Sequence, residues 1–230
     1  MPLVSLHIIR YKKRFIPFAL LAMAVHHIPL WLNRQIRFYK LMGSGRNGTF
    51  DKVPDWQQWA LLTVSDEAKP AKPVYGSFIA GWYRFFGCEI YTLLLQPIEG
   101  HGRWDGKEVF GALPRQSGYE GQVAVLTRAT IRINKLKFFW QHVAPVAQKM
   151  NQAPGFLFSA GIGEIPWIKQ ATFSVWTSKE AMKGFAYGTK EHGEVIQKTR
   201  QQRWYSEDMF TRFIIIETLG TLRGIDPLKS

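Results

Sequence analysis

Residues 122–133 read QVAVLTRATIRI, and this alternation of side chains predicts a β-strand with two distinct faces. The patterns that follow predict a helix at 135–150, strands at 156–160 and 170–176, helical segments at 179–187 and 191–203, and a strand at 210–218. The resulting order is β-α-β-β-α-β, which is the order of a ferredoxin-like unit.

The first half of the chain predicts the same order. Its elements are a strand at 3–11, a helix at 14–32, strands at 37–42 and 56–64, a helix at 75–86 and a strand at 89–96. Landmarks recur at a separation of 117 to 119 residues, namely Val4 and Val123, Gly43 and Gly161, Trp59 and Trp176, and Gly106 and Gly224. This repetition indicates an internal duplication.

Two ferredoxin-like units in one chain pack sheet against sheet. We therefore predict an α+β fold in which duplicated ferredoxin-like units form a dimeric-type α/β barrel within one chain. The N-terminal repeat would span residues 1–106 and the C-terminal repeat 122–230. Residues 107–121 are glycine-rich and unpatterned, and we interpret them as the linker.

The charge of the chain is concentrated in two places. The 230 residues carry a formal net charge of +13, and 46% of them are hydrophobic, which excludes a disordered chain. Residues 1–50 contain eight Lys or Arg and no acid, and residues 121–163 contain five and no acid. These thirteen cations equal the whole excess. The single cysteine, Cys88, excludes a disulfide framework within the chain.

The one long apolar run, FIPFALLAMAVHHIPLW at 15–31, follows the basic residues around Arg14. It is shorter than the roughly 20 residues that a bilayer span needs, and it lacks the cleavage site of a signal peptide. We predict a buried core helix, with a helix lying on a membrane surface as the alternative. The expected location is the cytoplasm, with peripheral attachment to the inner membrane face left open.

Glycine and histidine motifs carry weaker signals. The sequence GSGRNG at 43–48 matches GxGxxG, but it precedes a strand, so we interpret it as a glycine turn. No histidine pair has zinc-finger spacing. His192 lies near the start of a predicted amphipathic helix, where a histidine is either an exposed or capping residue or an axial haem ligand. Arg128 and Arg132 share one face of their strand and are either partners of an anion or solvated charges.

Several segments together resemble the spheroidene monooxygenase family, the acyclic carotenoid 2-ketolases. They are VLTRATIR at 125–132, FW at 139–140, GIGEIPW at 161–167, QATFSVW at 170–176, FAY at 185–187 with His192, WYSE at 204–207 with Phe210 and Arg212, KLMGSG at 40–45 and GRW at 102–104. The resemblance covers most of residues 36–228 and is densest in the second half.

This resemblance implies a haem-iron monooxygenase. Such an enzyme inserts oxygen from O2 at C2 of an acyclic carotenoid, forms a ketone by a second hydroxylation and loss of water, and takes electrons from reduced ferredoxin. Carried over to this sequence, it implies His192 as the haem and metal ligand. Further cofactor-pocket candidates are Arg128, Arg132, Trp176, Arg200 and Trp204.

Two alternatives stay open at this stage. One is a haem enzyme of another reaction type, such as a dehydratase or a haem-degrading enzyme, and the other is a non-catalytic protein that binds an apolar ligand. Nucleic acid is not expected as a partner, because the basic residues are not interleaved with aromatics on a recognisable module. The expected partners are an apolar carotenoid-like substrate, reduced ferredoxin and an anionic membrane surface, and a homo-oligomer is compatible with the sequence.

Overall fold

A computed structural model describes residues 2–46, 51–66, 74–188, 199 and 202–229, and the side chains of residues 142–148 and 187 lie outside that description. The described strands are β1 (Leu3–Arg10), β2 (Ile36–Gly45), β3 (Pro54–Ser65), β4 (Glu89–Gly102), β5 (Val123–Ile131), β6 (Phe156–Ile165), β7 (Lys169–Trp176) and β8 (Tyr205–Gly220). The described α-helices are α1 (Ile16–Val25), α2 (His27–Leu32), α3 (Gly76–Phe85), α4 (Leu136–Met150) and α5 (Lys179–Gly188).

Each half therefore has the predicted β-α-β-β-α-β order. The predicted helix at 14–32 begins with a 3-10 turn and is divided between α1 and α2 at His26. Strands β4 and β8 are longer than the patterns predicted. Most of the predicted helical segment at 191–203 lies outside the described residues.

The eight strands close into a barrel in the order β1-β3-β2-β6-β7-β5-β8-β4, with antiparallel pairing throughout. Strands β2-β3-β1-β4 form the first ferredoxin-like sheet, and β6-β7-β5-β8 form the second in the corresponding order. The predicted α+β barrel of duplicated units is confirmed.

Two seams join the sheets, and they differ in length. The β4–β8 seam runs from Tyr91 opposite Gly220 to Gly102 opposite Met209. The β2–β6 seam consists of Gly43 opposite Gly163 and Ser44 opposite Ile162. The interpretation of residues 43–48 as a glycine turn was wrong for residues 43–45, because they complete β2 and close the barrel. The Ser44 hydroxyl donates to the Gly161 carbonyl oxygen at 3.0 Å, and residues 47 and 48 lie outside the described residues.

A reciprocal clamp holds the ends of the long seam. Glu207, at the start of β8, accepts hydrogen bonds from the backbone N–H groups of Asp105 and Gly106 at 3.0 and 2.7 Å. Glu89, at the start of β4, accepts from the backbone N–H of Gly224 at 2.7 Å. Each repeat therefore fixes the turn that ends the other, as a pseudo-twofold relation requires.

The pairings also correct the alignment of the repeats. Val4 lies opposite Val64 in β3 and Leu95 in β4. Ala124 lies opposite Val175 in β7 and Phe213 in β8, which are the equivalent strands of the second sheet. Ala124 is therefore the counterpart of Val4. By the same reasoning Gly163 matches Gly43, and Gln170 matches Trp59.

The pairing of Gly106 with Gly224 was correct, since both end left-handed turns, with φ of 75° and 82°. A shift of one residue matters because it exchanges the two faces of a strand.

The barrel interior is a filled hydrophobic core. Residues from all eight strands meet there, including Leu6, Met42, Leu62, Leu93, Leu126, Phe158, Phe173 and Phe213. Helices α1 to α3 cover the outside of the first sheet, and α4 and α5 accompany the second. A ligand site must therefore lie outside the sheets, since the lumen is packed with side chains.

The predicted linker at 107–121 has no helix or strand, yet it belongs to the core. Val109 and Phe110 are buried in the barrel interior, and the Phe110 ring meets Phe213 edge-on at 5.2 Å. The domain boundaries themselves stay a prediction.

We expect Gly102→Ala to lower the free energy of unfolding by about 2–3 kcal/mol, since Gly102 has φ of 88° and an added Cβ would meet the Asp208 carbonyl oxygen at 2.2 Å. Gly118→Ala is the matched control, because its Cβ would enter open space. Urea unfolding of both variants measures the effect. Equal stabilities would show that the long seam tolerates a side chain at Gly102.

Candidate functional site

The centre of the second sheet has small side chains on its outer face. Thr172 lies opposite Thr127 on one side and Gly161 on the other, so these three residues form a row across β5, β7 and β6. Thr127 is exposed, although it lies in a central strand between the buried residues Val125 and Ala129. We call Thr127, Gly161 and Thr172 the small-residue face.

The equivalent row of the first sheet is filled. His7 lies opposite Leu61, and Leu61 lies opposite Leu41, and all three are buried. This row continues to Thr92, whereas the row of the small-residue face continues to Phe210. Thr92 and Phe210 precede the equivalent turns at Gly106 and Gly224 by the same number of residues, which establishes the correspondence.

The difference between the rows decides where a ligand fits. The first sheet carries an imidazole and two leucines under its helices, and burial lowers the pKa of His7 to about 3, so that its ring is neutral at physiological pH. At the matching positions the second sheet carries two threonines, Thr127 and Thr172, and a glycine, Gly161. The buried Thr172 hydroxyl has no hydrogen-bond partner among the described atoms. The outer face of the second sheet therefore carries smaller side chains at these positions than the outer face of the first sheet.

Aromatic side chains border this face at both ends of β5. At the end near Val123, the buried Trp176 stacks on Phe185 with ring centroids 5.3 Å apart and meets Phe156 at 5.5 Å. At the other end, the buried Trp204 belongs to a cluster with Ile131, Phe139 and Trp140. Strand β5 between these ends is ~26 Å long, at about 3.3 Å per residue.

A buried ion pair borders the face along β8 and β4. Arg212 lies next to Phe210 on the outer side of β8, with its guanidinium carbon 4.8 Å from the Phe210 ring centroid. Its Nη1 donates to Glu99, which is 1% exposed, and Glu99 also accepts from Lys179 Nζ at 3.1 Å. Burial lowers the pKa of Arg212, as expected for a cation removed from water.

The cluster of Arg212, Lys179 and Glu99 has a net charge of +1 and one N–H donor without a described partner. Two cations, Arg212 and Lys179, share the carboxylate of Glu99. The buried Arg212 Nε has no partner among the described atoms. His101 stacks on Phe210 at 5.7 Å on the same side, where it is exposed. An anion bound beside Phe210 would therefore lie close to the Arg212 guanidinium.

Arg128, a predicted pocket residue, lies on the other face of β5. Its guanidinium is 1% exposed and pairs with Glu207, with Asp105 at 3.3 Å and with Glu164 at 3.4 Å. Lys40 and Lys169 complete a balanced network of three cations and three carboxylates at this end of the barrel. Arg128 therefore does not line the small-residue face, and its predicted role toward an anionic cofactor stays a prediction.

The other predicted residues fall in different places. Trp176 and Trp204 lie at the two ends of the small-residue face, as described above. Arg132 follows β5, and its Nε donates to the Tyr205 carbonyl oxygen at 3.2 Å, which ties β5 to β8 near Trp204. His192 and Arg200 lie outside the described residues. The described residues contain no group of three or more His, Cys, Asp or Glu that could hold a metal ion.

Sequence patterns alone missed the small-residue face and its charged border. Thr127, Thr172, Phe210, Arg212 and Glu99 were not predicted as site residues. A signal for them existed in the replacement of Leu41 and Leu61 by Gly161 and Thr172. It becomes visible only when the repeats are aligned in the register of the barrel.

The fold defines a duplicated ferredoxin-like barrel protein, and the second sheet carries a row of small residues on its outer face. The chain is 34% identical to spheroidene monooxygenase of Rhodobacter capsulatus over all of this chain and 97% of that protein. It is 33% identical to spheroidene monooxygenase of Rubrivivax gelatinosus over 82% of this chain and 72% of that protein. The chain therefore belongs to the spheroidene monooxygenase family and is an oxidoreductase of the monooxygenase class.

Solved structures agree on the fold. An aldoxime dehydratase crystallised with butyraldoxime superposes with a TM-score of 0.64 at 10% identity, and the match covers 99% of this chain and 85% of the dehydratase chain. A second aldoxime dehydratase structure has a TM-score of 0.63 at 10% identity, over 99% of this chain and 87% of its own. At this identity the likeness concerns the fold alone. No family model matches the chain.

We expect Glu99→Gln to destabilise the protein by about 3 kcal/mol, because it leaves Arg212 and Lys179 without their buried carboxylate. The exposed pair of Arg37 and Asp66 supplies the control, since Asp66→Asn should cost less than about 1 kcal/mol. Thermal or urea unfolding compares the two. Similar losses for both variants would mean that the Glu99 cluster contributes no more than a surface pair.

Proposed function

We propose that this chain is a haem-dependent monooxygenase that ketolates C2 of an acyclic carotenoid with O2 and reduced ferredoxin. The small-residue face is the observation that carries the proposal, because it places three small side chains in a row on the sheet between two aromatic clusters. Bound haem iron would supply the activation of O2. Support for a planar cofactor with anionic edges comes from the small side chains at Gly161 and Thr172 and from the Arg212 Nε–H, which has no partner among the described atoms and would donate to a carboxylate.

The ligand proposed for the iron is His192. The chain leaves α5 at Gly188, and α5 packs at the Trp176 end of the small-residue face. It is described again at Thr199, whose carbonyl oxygen accepts from the Trp204 backbone N–H at 3.1 Å at the opposite end. His192 lies between these two points in the sequence, and Arg200 directly follows Thr199. These positions in the chain support the proposed roles of His192 as ligand and of Arg200 as a pocket residue.

The proposed substrate is a long apolar polyene, and the aromatic borders are suited to bind it. Trp176 with Phe185, and Trp204 with Phe139 and Trp140, make the protein apolar at both ends of the face. Each hydroxylation at C2 would consume one O2, two electrons and two protons, and would release one water. After a second hydroxylation at the same carbon, loss of water leaves the ketone.

The electrons are proposed to arrive from an acidic protein such as reduced ferredoxin. The second acid-free stretch supplies Arg132, Lys135, Lys137 and Lys149 around the 3-10 turn and helix α4 beside the second sheet. A basic surface there would steer an acidic redox partner to the side of the barrel that holds the small-residue face.

Protein purified from a haem-supplied host should show a haem Soret band, and His192→Ala should abolish or shift it, because the His192 imidazole would hold the iron. The control is His27→Ala, which removes an exposed histidine from the first repeat. Expression of the wild-type chain in a host that makes acyclic carotenoids should yield a product in which two hydrogens are replaced by one oxygen.

The two readouts separate the parts of the proposal. A wild-type protein that takes up no haem would contradict the cofactor. A Soret band unchanged by His192→Ala would contradict only the ligand. Haem uptake without any ketolated carotenoid would contradict the substrate.

The location of the cofactor can be tested at Thr127. We expect Thr127→Phe to reduce haem uptake at least about tenfold, because a buried ring placed on the small-residue face competes for the space of the planar group. Thr127→Ser keeps the space and should bind haem as the wild type does. Spectroscopic titration of both variants gives the affinities. Equal affinities would place the cofactor elsewhere on the protein.

A further inference from the structure

The helices of the first repeat expose large apolar side chains. Trp31 is 77%, Phe85 82% and Ile28 63% exposed. Helix α1 buries the small residues Ala19 and Ala22 against the barrel and turns larger ones outward, which reverses the pattern of a helix on a water-facing surface. We call these residues the α1–α3 surface, which comprises Phe18, Leu20, Leu21, Ile28, Trp31, Leu32, Phe78 and Phe85.

This finding corrects the prediction for residues 15–31. By length and hydropathy, Lys13–Leu32 is a candidate membrane span near the N-terminus, but only 22% of its most apolar window is buried in the protein. It is therefore not a buried core helix. Its two helices, of 10 and 6 residues, meet at His26.

The surface is continuous across helices from two parts of the chain. The Phe18 ring stacks on Phe86 with centroids 4.6 Å apart, and Phe86 meets Phe85 at 5.0 Å. Farther along, the buried His26 packs edge-on against Phe78 and Trp82 at 6.4 and 5.4 Å. The exposed apolar residues of α1, α2 and α3 thus form one patch, and contiguous patches of this kind mark interaction sites.

The charged residues that the structure describes beside the patch are cations. Lys12, Lys13 and Arg14 are exposed directly before α1, and Arg84 is exposed on α3. No acid occurs in residues 1–50 or within α3. None of the ion pairs described for the chain involves these four cations. Among the described residues, the charges flanking the apolar surface are these cations, and such a surface is complementary to an anionic lipid surface.

We propose that the α1–α3 surface lies on an anionic lipid bilayer, with the apolar side chains in the interface and the cations at the headgroups. A second copy of the chain fits the patch less well, because a twofold contact would place Lys12, Lys13 and Arg14 near their own equivalents with no acid to offset them. The small-residue face lies outside the other sheet and stays accessible when the protein is bound in this way.

Vesicle flotation tests the proposal and depends on neither haem nor activity. The wild type should bind phosphatidylcholine vesicles that contain phosphatidylglycerol, and bind pure phosphatidylcholine more weakly. Replacing Lys12, Lys13 and Arg14 by Gln should weaken binding to the anionic vesicles about 100-fold. The double variant Ile28→Ser/Trp31→Ser should weaken binding to both kinds of vesicle at least about tenfold.

Matched variants elsewhere on the chain serve as controls. Replacing Lys135, Lys137 and Lys149 by Gln removes three charges, and Ile216→Ser/Ile225→Ser removes two exposed apolar side chains. Both should bind vesicles as the wild type does. Wild-type binding by the α1–α3 variants, or equal losses in the controls, would overturn the proposal. So would a wild-type dimer that ignores vesicles and dissociates on Ile28→Ser/Trp31→Ser in sedimentation velocity.

Discussion

The antiparallel pairing of β4 with β8 is the constraint on which the rest of the structure depends. It joins the two ferredoxin-like sheets over the length of both strands, whereas β2 and β6 meet at only two residue pairs. Glu89 and Glu207 fix it at either end by binding the turn of the opposite repeat. Because the seam closes a barrel whose lumen is filled, each sheet has only its outer side left for function.

The two repeats use that outer side differently. In the first, His7, Leu41 and Leu61 fill the space beneath the helices, and the helices turn apolar side chains outward. In the second, the equivalent positions carry the small residues Thr127, Gly161 and Thr172, of which Thr127 is exposed. The two repeats thus have equivalent positions, and the row of three side chains at these positions is larger in the first repeat than in the second.

The order of elements was predictable because it is local. Alternation along residues 122–133 and the apolar period of residues 135–150 each depend on neighbours in sequence. The register between repeats was not predictable from landmarks such as Trp59 and Trp176, since it depends on which strands pair. The same distinction applies to the candidate site. Trp176 and Trp204 could be selected from the sequence as large aromatics, whereas Thr127 becomes a candidate only once the strand pairing places it opposite Thr172.

The sequence by itself determined the duplicated β-α-β-β-α-β order, the barrel class, the two acid-free stretches and the resemblance to the spheroidene monooxygenase family. Tertiary structure alone decided which face each residue occupies. It placed Arg128 among carboxylates at the barrel end, buried Glu99 with Arg212, and exposed the apolar helices of the first repeat. The reason is physical, since local periodicity specifies an element and its two faces, whereas burial and ion pairing depend on contacts between residues far apart in the chain.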